Sequence, residues 1–88
     1  MAYFIAVYDV NVKRGPKMLK LFRQYLSWVQ NSVFEGELTD AQFQELQAKA
    51  RAQMEEGADS VIFYRLRDER YAERTTLGTE RGERGRFL

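Results

Sequence analysis

The sequence predicts an α+β fold in one domain, with two helices packed on one face of an antiparallel sheet. Three observations predict it. Short apolar segments rich in aromatic and β-branched residues alternate with two amphipathic helical patterns. Their order along the chain is β-α-β-β-α-β, followed by one further strand signal. The 88 residues suit a single domain, and 44% hydrophobic with 31% charged residues is the composition of a folded globular chain.

The first strand and the first helix are separated by a short loop. Residues 3–8 form a continuous apolar run, which predicts a strand buried on both faces. Asp9 closes this strand, and residues 10–15 form the loop. Pro16 suits the first turn of a helix, where the missing N–H leaves no hydrogen bond unmade. The helix is predicted to run to about residue 26, because its apolar residues recur at spacings of three and four.

The middle of the chain predicts a second strand over residues 28–34. Residues 35–37, centred on a glycine, are expected to interrupt the chain before a short third strand at Leu38. Thr39 followed three residues later by Gln42 is a capping box, which marks the start of a second helix.

The second helix is predicted to run to about residue 56, where Gly57 would end it in the left-handed conformation. Residues 59–66 predict another strand. Residues 67–70 are predicted to form a charged turn, and residues 71–77 a final, exposed strand.

This order of elements is the split β-α-β, or ferredoxin-like, arrangement. The predicted domain covers residues 1–77, and the tail over residues 78–88, rich in glycine and arginine, is expected to be flexible. The sheet needs cover on its second face, since its apolar residues are too many for one helical layer. They are Tyr3, Ile5, Val7, Val61 and Phe63. A second copy of the chain is the simplest cover, so the sequence predicts a homodimer.

The composition excludes several kinds of chemistry. Cysteine and histidine are both absent, which removes disulfides, thiolate zinc sites, cysteine nucleophiles, Ser-His-Asp triads and imidazole metal ligands. No apolar run approaches the roughly 18 residues of a membrane span. The N-terminus also lacks the basic region and cleavage site of a signal peptide. A cytoplasmic location without membrane contact is therefore expected.

The net charge of +1 hides a segregated distribution. Residues 11–25 hold five basic residues and no acid, whereas residues 35–59 are mainly acidic. A basic helix face can follow a phosphate backbone or can be an ordinary solvated surface, and the absence of any acid over residues 10–34 favours nucleic acid. Such contacts follow shape and charge rather than base sequence. The predicted contact residues are Lys13, Arg14, Lys17 and Lys20.

Asp9 is the only acid in the first 34 residues. Mg²⁺ prefers oxygen ligands and keeps several waters, so one or two carboxylates together with phosphates suffice to hold it. One Asp9 from each protomer, brought together across a dimer axis, would supply such a pair. A bound metal there could activate a water. An aspartate just after a strand also commonly shapes a loop or caps a helix, and the residues alone leave both interpretations open.

A resemblance to a known family sharpens these expectations. Three features resemble the CRISPR-associated Cas-two family: the apolar strand ending in Tyr8 and Asp9, the basic helix after it, and Val-Gln-Asn-Ser-Val-Phe-Glu-Gly-Glu-Leu at residues 29–38. The similarity extends over about residues 3–66. It implies a ferredoxin-like homodimer in which the last strand of each protomer adds to the sheet of its partner.

The resemblance also implies a function. Members of the Cas-two family act as magnesium-dependent endonucleases on RNA or DNA. They also form the central dimer of the CRISPR adaptation complex, between dimers of the Cas-one integrase, where they hold the duplex DNA of a new spacer. The expected cofactor is therefore Mg²⁺. The expected partners are a second copy of the chain, the Cas-one integrase, and double-stranded DNA or single-stranded RNA, between which the sequence does not decide.

The matching positions carry expected roles. The resemblance places metal binding and catalysis at Asp9, with supporting roles at Tyr8, Ser32 and Phe34. Residues 12–16 depart from the commonest family pattern, because they replace a longer basic stretch. Two other functions stay open: a scaffold that binds duplex DNA without catalysis, and a ferredoxin-like toxin or interaction module with neither metal nor nuclease activity.

Overall fold

A computed structural model describes residues 1–67 and 75–78 of the chain. Within them, strands and helices follow one another in the predicted order. They are β1 (Ala2–Asp9), α1 (Gly15–Arg23), β2 (Ser27–Gln30), β3 (Val33–Leu38), α2 (Asp40–Gln53) and β4 (Ser60–Leu66). The strands form one antiparallel sheet in the order β2-β3-β1-β4. This is the ferredoxin-like arrangement, and it confirms the predicted α+β fold class.

The central strand β1 separates two faces, because alternate residues of a strand point to opposite sides. Phe4 and Tyr8 face the helices and lie in the hydrophobic core with Phe22 of α1 and Leu46 of α2. Phe4, Phe22 and Leu46 have no exposed surface. Burial of each such side chain stabilises the fold by roughly 1.5–3 kcal/mol, so the core holds both helices on one side of the sheet.

The opposite side of the sheet, here called the open face, carries Ile5 and Val7 of β1 and Ile62 and Tyr64 of β4. Ile5 lies opposite Tyr64, and Val7 lies opposite Ile62. Ile62 and Tyr64 are 50% and 56% exposed, and neither belongs to the core. A contiguous apolar patch that remains exposed marks an interaction surface.

The apolar strand residues divide between the two faces. Val61 and Phe63 pack against the helical core, since they alternate with the open-face residues of β4. Ile5 and Val7 lie on the open face, and Tyr3 shares their side of β1 although it is buried. The expectation that one helical layer could not accept all five is therefore consistent with the structure.

The turn between β2 and β3 lies earlier than the sequence pattern indicated. The prediction of one strand over residues 28–34 with a break at residues 35–37 is wrong. Asn31 and Ser32 form the turn instead. Asn31 has a φ of 45°, a left-handed conformation that asparagine tolerates better than most residues. The indole N–H of Trp28 donates a hydrogen bond to the Asn31 carbonyl oxygen at 2.9 Å and closes the turn.

Gly36 lies inside β3 rather than at a break. It pairs with Phe4 of β1 in a strand that continues to Leu38. A Cβ atom at Gly36 would come within 3.2 Å of Cδ2 of Leu26. The glycine therefore permits a close approach between β3 and the chain that enters β2, which is a packing role and not a turn.

Both helices end before the predicted residues. α1 ends at Arg23 and α2 ends at Gln53, each three residues early. For α2 the physical reason is a competing acceptor: the backbone N–H of Glu55 donates to the carboxylate of Asp59 at 2.9 Å. Gly57 does not adopt the left-handed conformation, so its predicted role as the helix stop is wrong.

The predicted capping box is confirmed. The backbone N–H of Gln42 donates to the Thr39 hydroxyl at 3.1 Å, and the Thr39 N–H donates to Oε1 of Gln42 at 2.9 Å. Two donors at the start of α2 are thereby satisfied by a local pattern that the sequence shows directly.

The C-terminal predictions fall largely outside the described residues. The charged turn over residues 67–70 and the strand over residues 71–77 lie mostly there, and the described residues 75–77 belong to no strand. The flexible tail, residues 78–88, lies there as well apart from Gly78. Among the described helices, none has the length and hydropathy to span a bilayer.

Candidate functional site

Asp9 is the last residue of β1, at the end of the open face. Because side chains alternate along the strand, Asp9 lies on the same side as Ile5 and Val7. It pairs with Ser60 at the start of β4. Asp9 is exposed, and within residues 1–67 and 75–78 no donor hydrogen-bonds to its carboxylate. The predicted metal ligand is therefore a free carboxylate beside an exposed apolar surface.

The three predicted supporting residues surround the end of β1 but belong to the scaffold. Tyr8 is buried, with its ring centroid 5.2 Å from that of Phe22 and 5.9 Å from that of Phe34. Burial raises the pKa of the Tyr8 hydroxyl above its ordinary value. Phe34 has no exposed surface. Both aromatic residues fix the strand that ends in Asp9.

Ser32 lies in the turn between β2 and β3 and not within a strand. Its carbonyl oxygen accepts a hydrogen bond from the backbone N–H of Tyr8 at 3.2 Å. This contact extends the pairing of β1 by one step beyond Val7 and Val33. Ser32 therefore helps to position the end of β1 through its main chain.

Three lysines form an exposed row along α1 and the loop before it, here called the basic stripe. They are Lys13, Lys17 and Lys20. The spacing of three residues places Lys17 and Lys20 on one face of α1, and Lys13 lies in the turn just before the helix. No ion pair in the described part of the chain involves any of the three ammonium groups. They are free to meet an external anion, and the stripe begins four residues after Asp9.

Arg14 is engaged elsewhere, although the sequence predicts it as a nucleic-acid contact. Its Nε and Nη2 donate to the two oxygens of Asp59 at 2.5 and 2.9 Å, and its Nη1 lies 3.6 Å from Glu55. A guanidinium paired in this bidentate manner has little capacity left for a phosphate. We therefore do not include Arg14 in the basic stripe.

Asp59 is the site residue that sequence reasoning missed. Its side chain is only 1% exposed, yet it is a carboxylate. Besides Arg14, it accepts hydrogen bonds from the backbone N–H groups of Asn11 at 3.0 Å and Glu55 at 2.9 Å. The hydrogen bond from Arg14, followed by the one from Glu55, holds the pKa of this carboxyl well below its usual range.

A signal for Asp59 was present but ambiguous. An aspartate at the start of a strand is commonly a turn residue. Its partners lie 45 and 48 residues away in the chain, at Arg14 and Asn11. Only the β1–β4 pairing brings these segments together, so spacing along the sequence could not indicate the contact.

A family model shows what kind of protein this chain is. The model for CRISPR associated protein Cas2 matches residues 1–74. The chain belongs to the CRISPR-associated Cas2 family. Membership confirms the resemblance seen in the strand ending at Asp9 and in residues 29–38.

Curated Cas2 relatives match this chain over nearly their whole length. The CRISPR-associated endoribonuclease Cas2 of Dictyoglomus turgidum is 48% identical over 86 residues, which cover 98% of this chain and 99% of the relative. The protein of the same description from Thermotoga maritima is 47% identical over 83 residues, with 94% and 95% covered. The relatives are thus called endoribonucleases.

Solved Cas2 structures share the fold. A crystal structure of Cas2 superposes with a TM-score of 0.83 at 42% identity, and covers 90% of this chain and 88% of its own. Streptococcus pyogenes Cas2, crystallised at pH 6.5, superposes with a TM-score of 0.66 at 35% identity, with 70% and 82% covered.

The donor chemistry at Asp9 fits a hard divalent cation, but the described residues of one chain supply only part of a site. Carboxylate oxygens are the ligands that Mg²⁺ prefers, and Asp9 has no competing hydrogen bond in the described residues. No group of three or more acidic side chains within those residues could enclose a metal. Asp9 therefore fits as one ligand of a site that a second carboxylate, phosphates and water complete.

Proposed function

We propose that the chain acts in the cytoplasm as a homodimer that binds nucleic acid during CRISPR adaptation. In this role it bridges dimers of the Cas-one integrase while a new spacer is acquired. We also propose that the dimer carries a magnesium-dependent endonuclease site made of the two Asp9 carboxylates. Its substrates are double-stranded DNA or single-stranded RNA, and membership of the Cas2 family supports the whole proposal.

The single observation that carries the proposal is the position of Asp9. It is an exposed carboxylate at the end of the open face, on the same side of the sheet as Val7, and it accepts no hydrogen bond within the described residues. A second copy seated on the open face would cover Ile62 and Tyr64. The same association would bring two Asp9 carboxylates toward one another and complete a metal site that the described residues of one chain do not enclose.

Each protein group has a defined task in this proposal. Asp9 from each protomer would hold the metal, which would supply Lewis-acid stabilisation of phosphoryl charge and an activated water. The main chain of Ser32 and the buried ring of Tyr8 keep the end of β1 in place. The ammonium groups of Lys17 and Lys20 bind phosphates beside the site and orient the backbone.

The basic stripe suits recognition by shape and charge. Lysine ammonium groups act as point charges toward phosphate oxygens and carry no base-edge information. The stripe starts at Lys13, near the N-terminal end of α1, where the helix dipole adds a partial positive charge. Affinity is therefore expected to be independent of base sequence and steeply dependent on salt.

The decisive experiment replaces Asp9 by asparagine in the dimer. We expect Asp9→Asn to lower Mg²⁺-dependent cleavage of RNA or DNA by at least about 100-fold, since the amide is a much weaker metal ligand than the carboxylate. Binding of a DNA duplex should stay within about twofold, because the basic stripe is untouched. Cleavage is measured on labelled strands, and binding by fluorescence anisotropy.

Asp40→Asn is the matched control, since Asp40 is an exposed aspartate at the start of α2, paired with Arg65. It should cleave as the unchanged protein does. Cleavage by Asp9→Asn at the rate of the control would contradict the proposed nuclease site. If Asp9→Asn still supports spacer acquisition but shows no cleavage, only the scaffold role of the proposal would remain. Absence of salt-dependent duplex binding in the unchanged protein would contradict the nucleic-acid role altogether.

A further inference from the structure

The carboxylate of Asp59 receives four hydrogen bonds from three residues in two segments, Asn11 and Arg14 in the loop between β1 and α1 and Glu55 in the turn after α2. Oδ1 accepts from the Asn11 N–H at 3.0 Å and from Nη2 of Arg14 at 2.9 Å. Oδ2 accepts from Nε of Arg14 at 2.5 Å and from the Glu55 N–H at 2.9 Å. Four acceptor positions are about what one carboxylate offers, so the group is saturated. The α2–β4 turn is thereby joined to the loop between β1 and α1.

These bonds reach both chain segments next to Asp9. Asn11 follows Asp9 by two residues, and its N–H is held directly by Asp59. Ser60, the residue after Asp59, pairs with Asp9 across the sheet. The chain that leaves Asp9 and the strand beside it are thus tied to the same buried carboxylate, although no hydrogen bond joins Asp59 to Asp9 in the described residues.

An ion pair with a buried carboxylate adds little net free energy of folding compared with apolar contacts. Removing the Asp59 carboxylate from water, and most of the Arg14 side chain with it, has a desolvation cost that offsets much of their attraction, and apolar side chains join segments equally well. Directed hydrogen bonds differ from apolar contacts because they hold a loop in one conformation. In the Arg14 and Asp59 pair, the planar guanidinium fixes two bonds at once.

We infer that Asp59 is a positioning residue for the Asp9 site. Through Asn11 and Arg14, its carboxylate holds the loop after β1 so that the Asp9 carboxylate presents one fixed orientation to a divalent cation. The inference rests on the proposed function of Asp9 as a metal ligand. It adds that metal affinity depends on an ion pair that touches neither the metal nor the nucleic acid.

The test uses Mn²⁺ alone as the probe, titrated into the intact dimer and followed by electron paramagnetic resonance. Removing a direct hydrogen-bond partner of a metal ligand typically lowers affinity 10- to 100-fold, and Asp59, which acts on Asp9 through the backbone, is expected at the lower end of that range. Asp59→Asn should therefore raise the Mn²⁺ dissociation constant by about tenfold or more. Asp40→Asn should leave it within about twofold. Circular dichroism confirms that each variant is folded under the conditions of titration.

Arg14 supplies a second test that avoids altering the buried carboxylate. Arg14→Lys keeps the charge but loses the bidentate geometry, whereas Arg14→Gln loses both. The positioning role predicts that the dissociation constant for Mn²⁺ rises from the unchanged protein to Arg14→Lys and again to Arg14→Gln. A folded Asp59→Asn or Arg14→Gln variant that binds Mn²⁺ as tightly as the unchanged protein would overturn the inference.

Amide hydrogen exchange separates this inference from the proposed metal site. In Asp59→Asn the amides of Asn11 and Glu55 should exchange at least about tenfold faster, while that of Phe4 in β1 stays unchanged. If Asp9→Asn and the unchanged protein bind Mn²⁺ equally, the metal site proposed at Asp9 is wrong. Hydrogen exchange then remains as the test of whether Asp59 holds the loop after β1. Unchanged exchange at Asn11 would show that Asp59 does not hold it.

Discussion

Asp9 and Asp59 lie at the paired ends of neighbouring strands and have opposite surroundings. Asp9 is exposed, with no hydrogen-bond donor in the described residues, whereas the oxygens of Asp59 are fully occupied. A free carboxylate can take a metal, and a saturated one can only hold the protein around it. The roles of the two residues are decided by their neighbours and not by their chemistry.

The low pKa of Asp59 predicts how stability depends on pH. The folded protein lowers this pKa, mainly through the Arg14 hydrogen bond, below the value of about 3.9 expected in the unfolded chain. Its contribution to the free energy of unfolding is therefore present above about pH 4 and is lost as the pH falls toward the folded pKa. We expect the urea concentration at the unfolding midpoint of the unchanged protein to be lower at pH 3 than at pH 5.

Asp59→Asn should be less stable than the unchanged protein at pH 7, and its urea midpoint should change less over the same acidic interval. Asp40→Asn serves as the comparison, because the Asp40 carboxylate pairs with Arg65 at the exposed surface and contributes little. Parallel midpoint curves for Asp59→Asn and the unchanged protein would show that another group controls acid unfolding.

At the scale of elements, α1 connects the scaffold to the surface. Its buried residues Met18, Leu21 and Phe22 face the sheet, while Lys17 and Lys20 are exposed on the other side. This amphipathic pattern was readable from the sequence, because period and charge are local properties. The pattern could not show that Arg14, just before the helix, is paired with Asp59.

The exposed lysines of α1 predict a change in the salt dependence of duplex binding. The logarithm of the association constant for duplex DNA falls linearly with the logarithm of the salt concentration. For each phosphate that a variant no longer neutralises, this slope should become less steep by about 0.9. We expect this for Lys17→Gln and Lys20→Gln, singly and together, measured by anisotropy from 50 to 200 mM salt. Lys49→Gln is the matched control, since Lys49 pairs with Glu45 on α2. If the slope equals that of the control, α1 does not contact the duplex.

At the scale of the whole molecule, the sheet carries its helices on one face and leaves apolar side chains exposed on the other. Ile62 and Tyr64 are about half exposed, and Asp9 lies at the end of the same face. Covering the apolar area and pairing the carboxylates would follow from one association. This is why dimerisation and metal binding are linked in the proposed function.

Charges placed on the open face should therefore abolish both properties. An unpaired charge buried in an apolar interface costs several kcal/mol, so Ile62→Glu with Tyr64→Glu should raise the dimer dissociation constant by at least about 100-fold. Sedimentation equilibrium measures the association, and Mg²⁺-dependent cleavage should be lost with Asp9 intact. Ala48→Glu, on the exposed surface of α2, should remain dimeric. A stable dimer of the double variant would place the interface elsewhere.

Most of the fold could be predicted from the sequence because its signals are local. The apolar run before Asp9, the capping box of Thr39 and Gln42 and the periodicity of α1 each depend on a few neighbouring residues. The errors occurred where distant contacts compete with local preference. Gly36 looked like a break but is a strand residue that permits close packing against Leu26.

The sequence by itself determined the fold class, the family and Asp9 as the candidate metal ligand, because strand and helix patterns and a characteristic segment are written in consecutive residues. The tertiary structure alone decided that the Asp59 side chain is buried and that Arg14, next to Lys13 of the basic stripe, is paired with it. The physical reason is that a carboxylate takes its pKa and its role from the groups around it. Here those groups are brought from 45 and 48 residues away by the pairing of β1 with β4.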